Sequence, residues 1–251
     1  METIHIDRQD GVATVKLGWG VTNALDLQRV EALAERLQAL RLDPEVGGLV
    51  LSSANEKFFS IGFNIPQLYG LPKQDFETFY RAFNRLCLDL YTFPKPTIAA
   101  IAGHAIAGGC ILTLCCDYRF IAQGRKLMGL NEIKLGVPVP YPADCILRHL
   151  VGERHARDVL GIGEFYQPDQ LLAMGMVDQV LPLERVLPES IEKVRALGAM
   201  PRAAFAMIKH NRVETIQDQI LARLEEKERF FIECWYGQPA RQRLKEAMEK
   251  F

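Results

Sequence analysis

Alternation of apolar and polar positions opens the chain. In TIHIDRQDGVATVKLG, residues 3 to 18, two β-type runs flank Asp10-Gly11, a pair that accepts positive φ, so the pattern predicts a hairpin. From Asp26 the period changes: Val30, Leu33, Ala34, Leu37 and Leu40 recur at helical spacing, with Glu31, Glu35, Arg36 and Gln38 between them. That amphipathic helix ends near Asp43-Pro44. GLVLSS then reads as a buried strand, and DFETFYRAFNRLCLDLYTF as a second helix stopped by Pro94 and Pro96. TIAAIAG is another continuous apolar strand, and YRFIA, residues 118 to 122, a further one. After Tyr141 the pattern is almost wholly helical.

Strands and helices alternating in this way argue for an α/β fold with parallel strands joined by crossovers. A length of 251 residues suits one domain of that class, and no repeat or low-complexity tract divides it. The expected organisation is a core over residues 1–190 and a helical region over 191–251. Glu214 to Trp235 and the closing QPARQRLKEAMEKF form paired helices with one apolar face. Such a face suits a subunit contact or a fold back onto its own domain, and the pattern leaves both open.

Charge narrows the partners. Thirty Lys and Arg against 31 Asp and Glu leave a net charge of -1, which offers no basic footprint for a nucleic acid. No apolar run reaches membrane-spanning length, and METIHIDRQD lacks the basic flank of a signal peptide, so a soluble, cytoplasmic or organelle-matrix protein is expected. Six cysteines among mostly apolar neighbours read as reduced core thiols. No CxxC or HExxH occurs and the five histidines lack zinc-site spacing, so no metal is expected.

Two glycine-containing turns are the candidate chemistry. KFFSIGFNI, residues 57 to 65, follows the strand GLVLSS, and Gly62 there would let a backbone amide face a ligand; on spacing alone an ordinary β-to-α turn is the commoner reading. AGHAIAGG follows TIAAIAG and is not a phosphate loop, since no Lys-Ser or Lys-Thr comes after its glycines.

In order and spacing, KFFSIGFNI, KPTIAAIAGHAIAGGCILTLCCDYRFIA, MGLNEIKLGVPVP and GEFYQPDQLLAMGMVDQVLP resemble the crotonase superfamily of enoyl-CoA hydratases and isomerases, over nearly the whole chain. The resemblance implies a spiral of ββα turns with a C-terminal helical trimerisation region, assembled as a homotrimer or dimer of trimers. It implies an acyl-CoA thioester as partner and no separate cofactor, coenzyme A being part of the substrate. It also implies an oxyanion hole from the amides of Phe63 and Gly108, with Ser60, Ile61, Gly62, Phe63, Asn64, Gly108, Ile111 and Asn131 in the substrate site. Removing a proton beside a thioester carbonyl puts negative charge on its oxygen, which fixed N–H donors stabilise; Gly108 also opens a helix, whose positive end points the same way.

Family hydratases carry a first glutamate three residues after the oxyanion glycine, and that position here is Ile111. The i to i+3 spacing places Ile111 on the Gly108 face and predicts an apolar wall beside the thioester. The second family glutamate is matched by Glu132 in MGLNEIKLG, a pattern similar to the Δ3,Δ2-enoyl-CoA isomerases. The implied activity is isomerisation with Glu132 as proton shuttle. The alternatives are another crotonase reaction on acyl-CoA, such as hydration, decarboxylation or hydrolysis, and a non-catalytic CoA-ester-binding homologue. Asp117, His104 and the stripe Phe76, Phe79, Phe83 and Leu86 read as structural. Lys57, Arg81, Arg85, Lys209 and Arg212 are candidate partners for the CoA phosphates, and the sequence does not choose among them.

Overall fold

The computed structural model describes residues 3–249. The hairpin is β1 (Thr3–Gln9) against β2 (Val12–Gly18), and Asp10 and Gly11 at its tip take φ of 49° and 76°. Two successive positive φ values match the turn to the twist of its strands, which is why this dipeptide sits there. Helix α1 (Leu27–Leu42) starts where the Asp26 carboxylate accepts the Arg29 N–H at 3.0 Å, and it is capped at its far end by Asp43.

Three passes of strand, strand and helix follow. β3 (Gly48–Ser53) and β4 (Phe58–Ser60) lead into α2 (Ile65–Tyr69) and α3 (Lys73–Tyr91). β5 (Thr97–Ile101) and β6 (His104–Ile106) lead into α4 (Gly108–Leu114). β7 (Tyr118–Ala122) and β8 (Met128–Gly129) lead into a 3-10 turn, Glu132–Leu135, and α5 (Tyr141–Ile162). The remainder is β9 (Phe165–Tyr166), α6 (Pro168–Met174), β10 (Gln179–Leu181), α7 (Leu183–Gly198), α8 (Arg202–Tyr236) and α9 (Gln238–Met248).

Each pass gives its first strand to a six-stranded sheet, β1-β2-β3-β5-β7-β10, and its second to a four-stranded sheet, β4-β6-β8-β9. The result is a spiral of ββα turns, with β3, β5 and β7 parallel in one wall and β4, β6 and β8 parallel in the other. Side-chain alternation explains the continuous apolar runs: Leu49 and Leu51 of β3 face the main core, while Val50 faces a second cluster with Val186 and Val194 of α7. Strands β9 and β10 interrupt the expected helical stretch. They are too short to carry a period, and β10 forms because the free edge of β7 pairs with it from Gln179↔Phe120 to Leu181↔Ala122.

The C-terminal helices fold back onto their own chain. Tyr80 stacks on Phe231 at 4.0 Å and Phe76 on Trp235 at 4.4 Å. Tyr236 donates its hydroxyl to Leu71 O at 2.8 Å, and Arg241 donates to Tyr69 O at 2.8 Å. The stripe Phe76, Phe79, Phe83 and Leu86 is fully buried core. Among the described residues no helix is long and apolar enough to cross a membrane.

Candidate active site

The first glycine turn is built by a segment that the sequence pattern did not single out. Asn23, fully buried at φ 47°, accepts the Trp19 N–H at 2.7 Å and donates to Ser53 Oγ and Phe59 O, each at 3.0 Å. Asparagine tolerates that left-handed backbone better than other side chains, and its amide satisfies three groups at once. Ser60 Oγ donates to Asn23 O at 2.8 Å and accepts the Gly62 N–H at 3.1 Å. Leu25 N–H donates to Gly62 O and Asn64 N–H to Leu25 O, both at 2.8 Å. In this parallel bridge the intervening Phe63 amide points away from Leu25.

The Gly108-Gly109 pair meets that turn. Gly62 has φ 87°, and a Cβ there would lie 2.6 Å from the Gly108 amide nitrogen; a Cβ on Gly109 would run into the Ser60 carbonyl oxygen. Both glycines are therefore places where backbone packs on backbone. Ala107, just before them, holds φ 47° and ψ -119°, a conformation that costs a residue with a Cβ about 1–3 kcal/mol. Among the described residues neither the Phe63 nor the Gly108 amide has a hydrogen-bond partner.

Both amides border a cleft of about 370 Å³. Ile61, Phe63, Gly108, Asn131 and Glu132 line it. Ser60 and Gly62 lie behind this surface as supports of the turn, and Asn64 bonds Gln67 at 2.9 Å beside it. Ile111 does not form the expected wall: it is fully buried in the main core, one turn into α4. The apolar lining comes instead from Phe63, Ile106, Leu135 and Val137, with Phe231, Trp235 and Ala247 from the C-terminal helices. Phe63 is backed edge-on by Phe79 and Phe83 at 4.8 and 4.9 Å. The sequence signal for the C-terminal contribution was the i, i+4 aromatic pair Phe231 and Trp235; what such a pair faces is decided only by the fold back.

Among the described residues that line the cleft, Glu132 is the one carboxylate. It opens the 3-10 turn after β8, and the turn is gripped by α9. Gly136 closes it at φ 79° against Ala240 of α9, and Arg243 donates to Lys134 O at 3.2 Å. Glu132 is 6% exposed, and its Oε2 is buried with no hydrogen-bond partner. Burial pushes its pKa up to about 7, and the nearby N–H groups of Glu132 and Asn131 offset only part of that. An acid so placed is able to hold or release a proton near neutral pH.

His104 also lines the cleft, and its Nδ1 accepts the Leu127 N–H at 2.9 Å. The candidate phosphate-binding cations separate clearly. Lys209 is buried on Asp117 at 2.7 Å, and Arg212 pairs with the same carboxylate. Arg81 pairs with Glu77 at 2.6 Å and Arg85 with Asp89 at 3.2 Å. Lys57 lies over the ring of Phe58, itself a cleft residue, at 5.5 Å. Asp117 is structural, as expected: it also accepts from the Thr97 N–H at 2.9 Å. Among the described residues no group of three or more His, Cys, Asp or Glu side chains is placed to hold a metal ion.

Residues 7–251 match the family model described as enoyl-CoA hydratase/isomerase. The chain is 32% identical to the human mitochondrial enoyl-CoA delta isomerase 1 over 82% of its own length and 68% of that protein's, and 30% identical to the mouse protein over 86% and 75%. The crystal structure of the human mitochondrial delta3-delta2-enoyl-CoA isomerase superposes with a TM-score of 0.95 at 27% identity, covering 98% of this chain and 97% of that one. A hydratase, EchA3 from Mycobacterium ulcerans Agy99, superposes with a TM-score of 0.84 at 26% identity over 91% and 99%. By sequence match and by architecture, this chain belongs to the enoyl-CoA hydratase/isomerase family.

Proposed function

We propose that the chain is an enoyl-CoA isomerase, moving a carbon–carbon double bond in an acyl-CoA thioester from C3=C4 to C2=C3. The observation that carries this reading is Glu132, the one carboxylate among the described residues lining a mostly apolar cleft, with its pKa near 7 and beside two unpaired amides. The thioester oxygen would accept from the amides of Phe63 and Gly108. The Glu132 carboxylate takes a proton from C2, the C–H electron pair enters the conjugated system, and charge collects on that oxygen as a dienolate. The carboxyl then returns its proton at C4 and the double bond settles between C2 and C3. A buried acid suits both halves, since one group must act first as base and then as acid.

Hydration needs a second group to activate water. The family position for that glutamate is Ile111, a core residue here, and among the described residues no second carboxylate lines the cleft. An excluded-water cleft also protects the dienolate from side reactions. Asn131, whose buried Oδ1 has no partner, is positioned to touch the same substrate. At the mouth, Lys57 with Arg125 and Lys126 suits the CoA phosphates; all three act on the charge of His104 and so gather around it. Exposed Met207, Ile208, Leu221 and Phe230 on α8 support assembly as a homotrimer or dimer of trimers, which sedimentation would measure.

Glu132→Gln tests the assignment. Conversion of 3-enoyl-CoA to 2-enoyl-CoA should fall by at least about a thousandfold while saturated acyl-CoA still binds; wild-type turnover in that variant would reject Glu132 as the shuttle.

A further inference from the structure

His104 is a polar side chain on the cleft that takes no part in the proton transfer. It opens β6, and strand alternation puts His104 and Ile106 on the cleft side while Ala105 is buried on the other. The Phe58 ring sits 5.4 Å from the imidazole at 52°, on the paired position of β4. Because Nδ1 accepts the Leu127 N–H, it carries no proton, and the neutral ring must hold its hydrogen on Nε2. Burial lowers the His104 pKa, as do Lys126, Arg125 and Lys57, so the ring is neutral at pH 7. The fold thus presents a donor of fixed tautomer at the cleft mouth, and among the described residues Nε2 has no partner.

We propose that His104 Nε2–H donates to the second amide carbonyl of the CoA pantetheine arm and positions the thioester for Glu132. This rests on the acyl-CoA reading above, and reach confines the contact to the pantetheine arm. β6 ends at Ile106 and Ala107 turns the chain at φ 47°, so His104 and Gly108 lie at most about 13 Å apart. In an extended pantetheine thioester the first amide carbonyl lies about 6–7 Å from the thioester carbon and the second about 11–12 Å. Both amide carbonyls fall within that limit, and the second, nearer its outer end, lies toward the cations that gather around His104, with the phosphates beyond it left to Lys57, Arg125 and Lys126.

The test is binding of saturated thioesters, which needs no turnover, to the full chain by calorimetry. His104→Asn keeps an acceptor for the Leu127 N–H and loses the distal donor, whereas His104→Gln keeps a donor near the Nε2 position. The asparagine variant should bind acyl-CoA and acyl-pantetheine about tenfold more weakly and acyl-N-acetylcysteamine, which lacks the second amide, unchanged; the glutamine variant should recover most of the loss. Unchanged acyl-CoA affinity in the asparagine variant overturns the proposal. So does a loss seen with acyl-CoA but not acyl-pantetheine, which would place the contact on a phosphate, or an equal loss with all three thioesters. Nitrogen NMR of the wild type gives a result that does not depend on how the variants fold. It should show the Nε2–H tautomer, shifted when acyl-pantetheine binds; an unmoved resonance also overturns the proposal. A wild-type chain that binds none of the thioesters would instead reject the acyl-CoA reading itself.

Discussion

Exchanging the Glu132 carboxyl for a neutral amide of the same shape should stabilise the fold at alkaline pH. Burial raises this carboxyl from the ordinary 4.5 to about 7. Between those values the folded chain keeps a proton that the unfolded chain has lost, so stability falls as pH rises and the whole penalty is present once pH exceeds the folded value. The interval from 4.5 to about 7, at about 1.4 kcal/mol per pH unit, amounts to about 3 kcal/mol. An amide has no such equilibrium, so Glu132→Gln should be more stable than wild type by about 3 kcal/mol at pH 8 and by under about 1 kcal/mol at pH 5. For a chain of this size that is roughly 6–12 °C in Tm at the higher pH. Trp19 and Trp235, both buried, report unfolding by fluorescence, and urea titrations of the two proteins at both pH values give the difference directly. A variant no more stable at pH 8, or an advantage that ignores pH, would refute the claim that burial sets the Glu132 proton affinity.

Three further outcomes follow from the same geometry. If Glu132 is the base, kcat/KM for 3-enoyl-CoA should fall about tenfold per pH unit below pH 7 and level off above it; a rate flat from pH 5 to 8 would exclude that role. Asn23→Ala removes two buried hydrogen bonds and one part-buried one and leaves a Cβ residue at positive φ, so unfolding in urea should show a loss of about 3 kcal/mol, with kcat reduced as the Phe63 amide loosens; a loss under about 1 kcal/mol would contradict the bracing role. Lys209→Met leaves Asp117 without the cation buried against it, both side chains being 3% exposed, and should cost about 3–5 kcal/mol with acyl-CoA affinity unchanged. A weakened affinity at wild-type stability would return Lys209 to the substrate site.

The elements with a long, clean period were legible in the sequence. Asp10-Gly11 specifies its turn through backbone freedom, and α1 announces itself by a capping Asp26 and apolar residues at three- and four-residue intervals; both are local effects that need no tertiary partner. β10 was not legible, since three residues carry no period and the strand exists through the β7 edge. In the site, Glu132, Gly62 and Gly108 were reachable through the ordered motif blocks, because a turn that must let backbone approach backbone tolerates few residue types. Ile111 shows the limit of a periodicity argument. An i, i+3 relation fixes a helix face, but in a seven-residue helix packed on every side that face is core rather than cleft surface.

The residues that remained hidden share a cause: they work through contacts far away in the chain. Asn23 looks like a loop residue until Ser53 and Phe59 arrive to use its amide, and Trp235 looks like one face of an amphipathic helix until α8 returns to stack it on Phe76. The same return explains how the Glu132 carboxyl comes to be buried. The 3-10 turn that carries it contributes a short, polar segment, EIKL, which by itself would stay wet. It is sealed by α9, through Ala240 against Gly136 and Arg243 on Lys134, while Phe231 and Trp235 of α8 close the cleft. The C-terminal helices, which begin 70 residues after this acid, therefore help to bury it, and they act by excluding water rather than by supplying charge, since burial is the leading cause of its raised proton affinity.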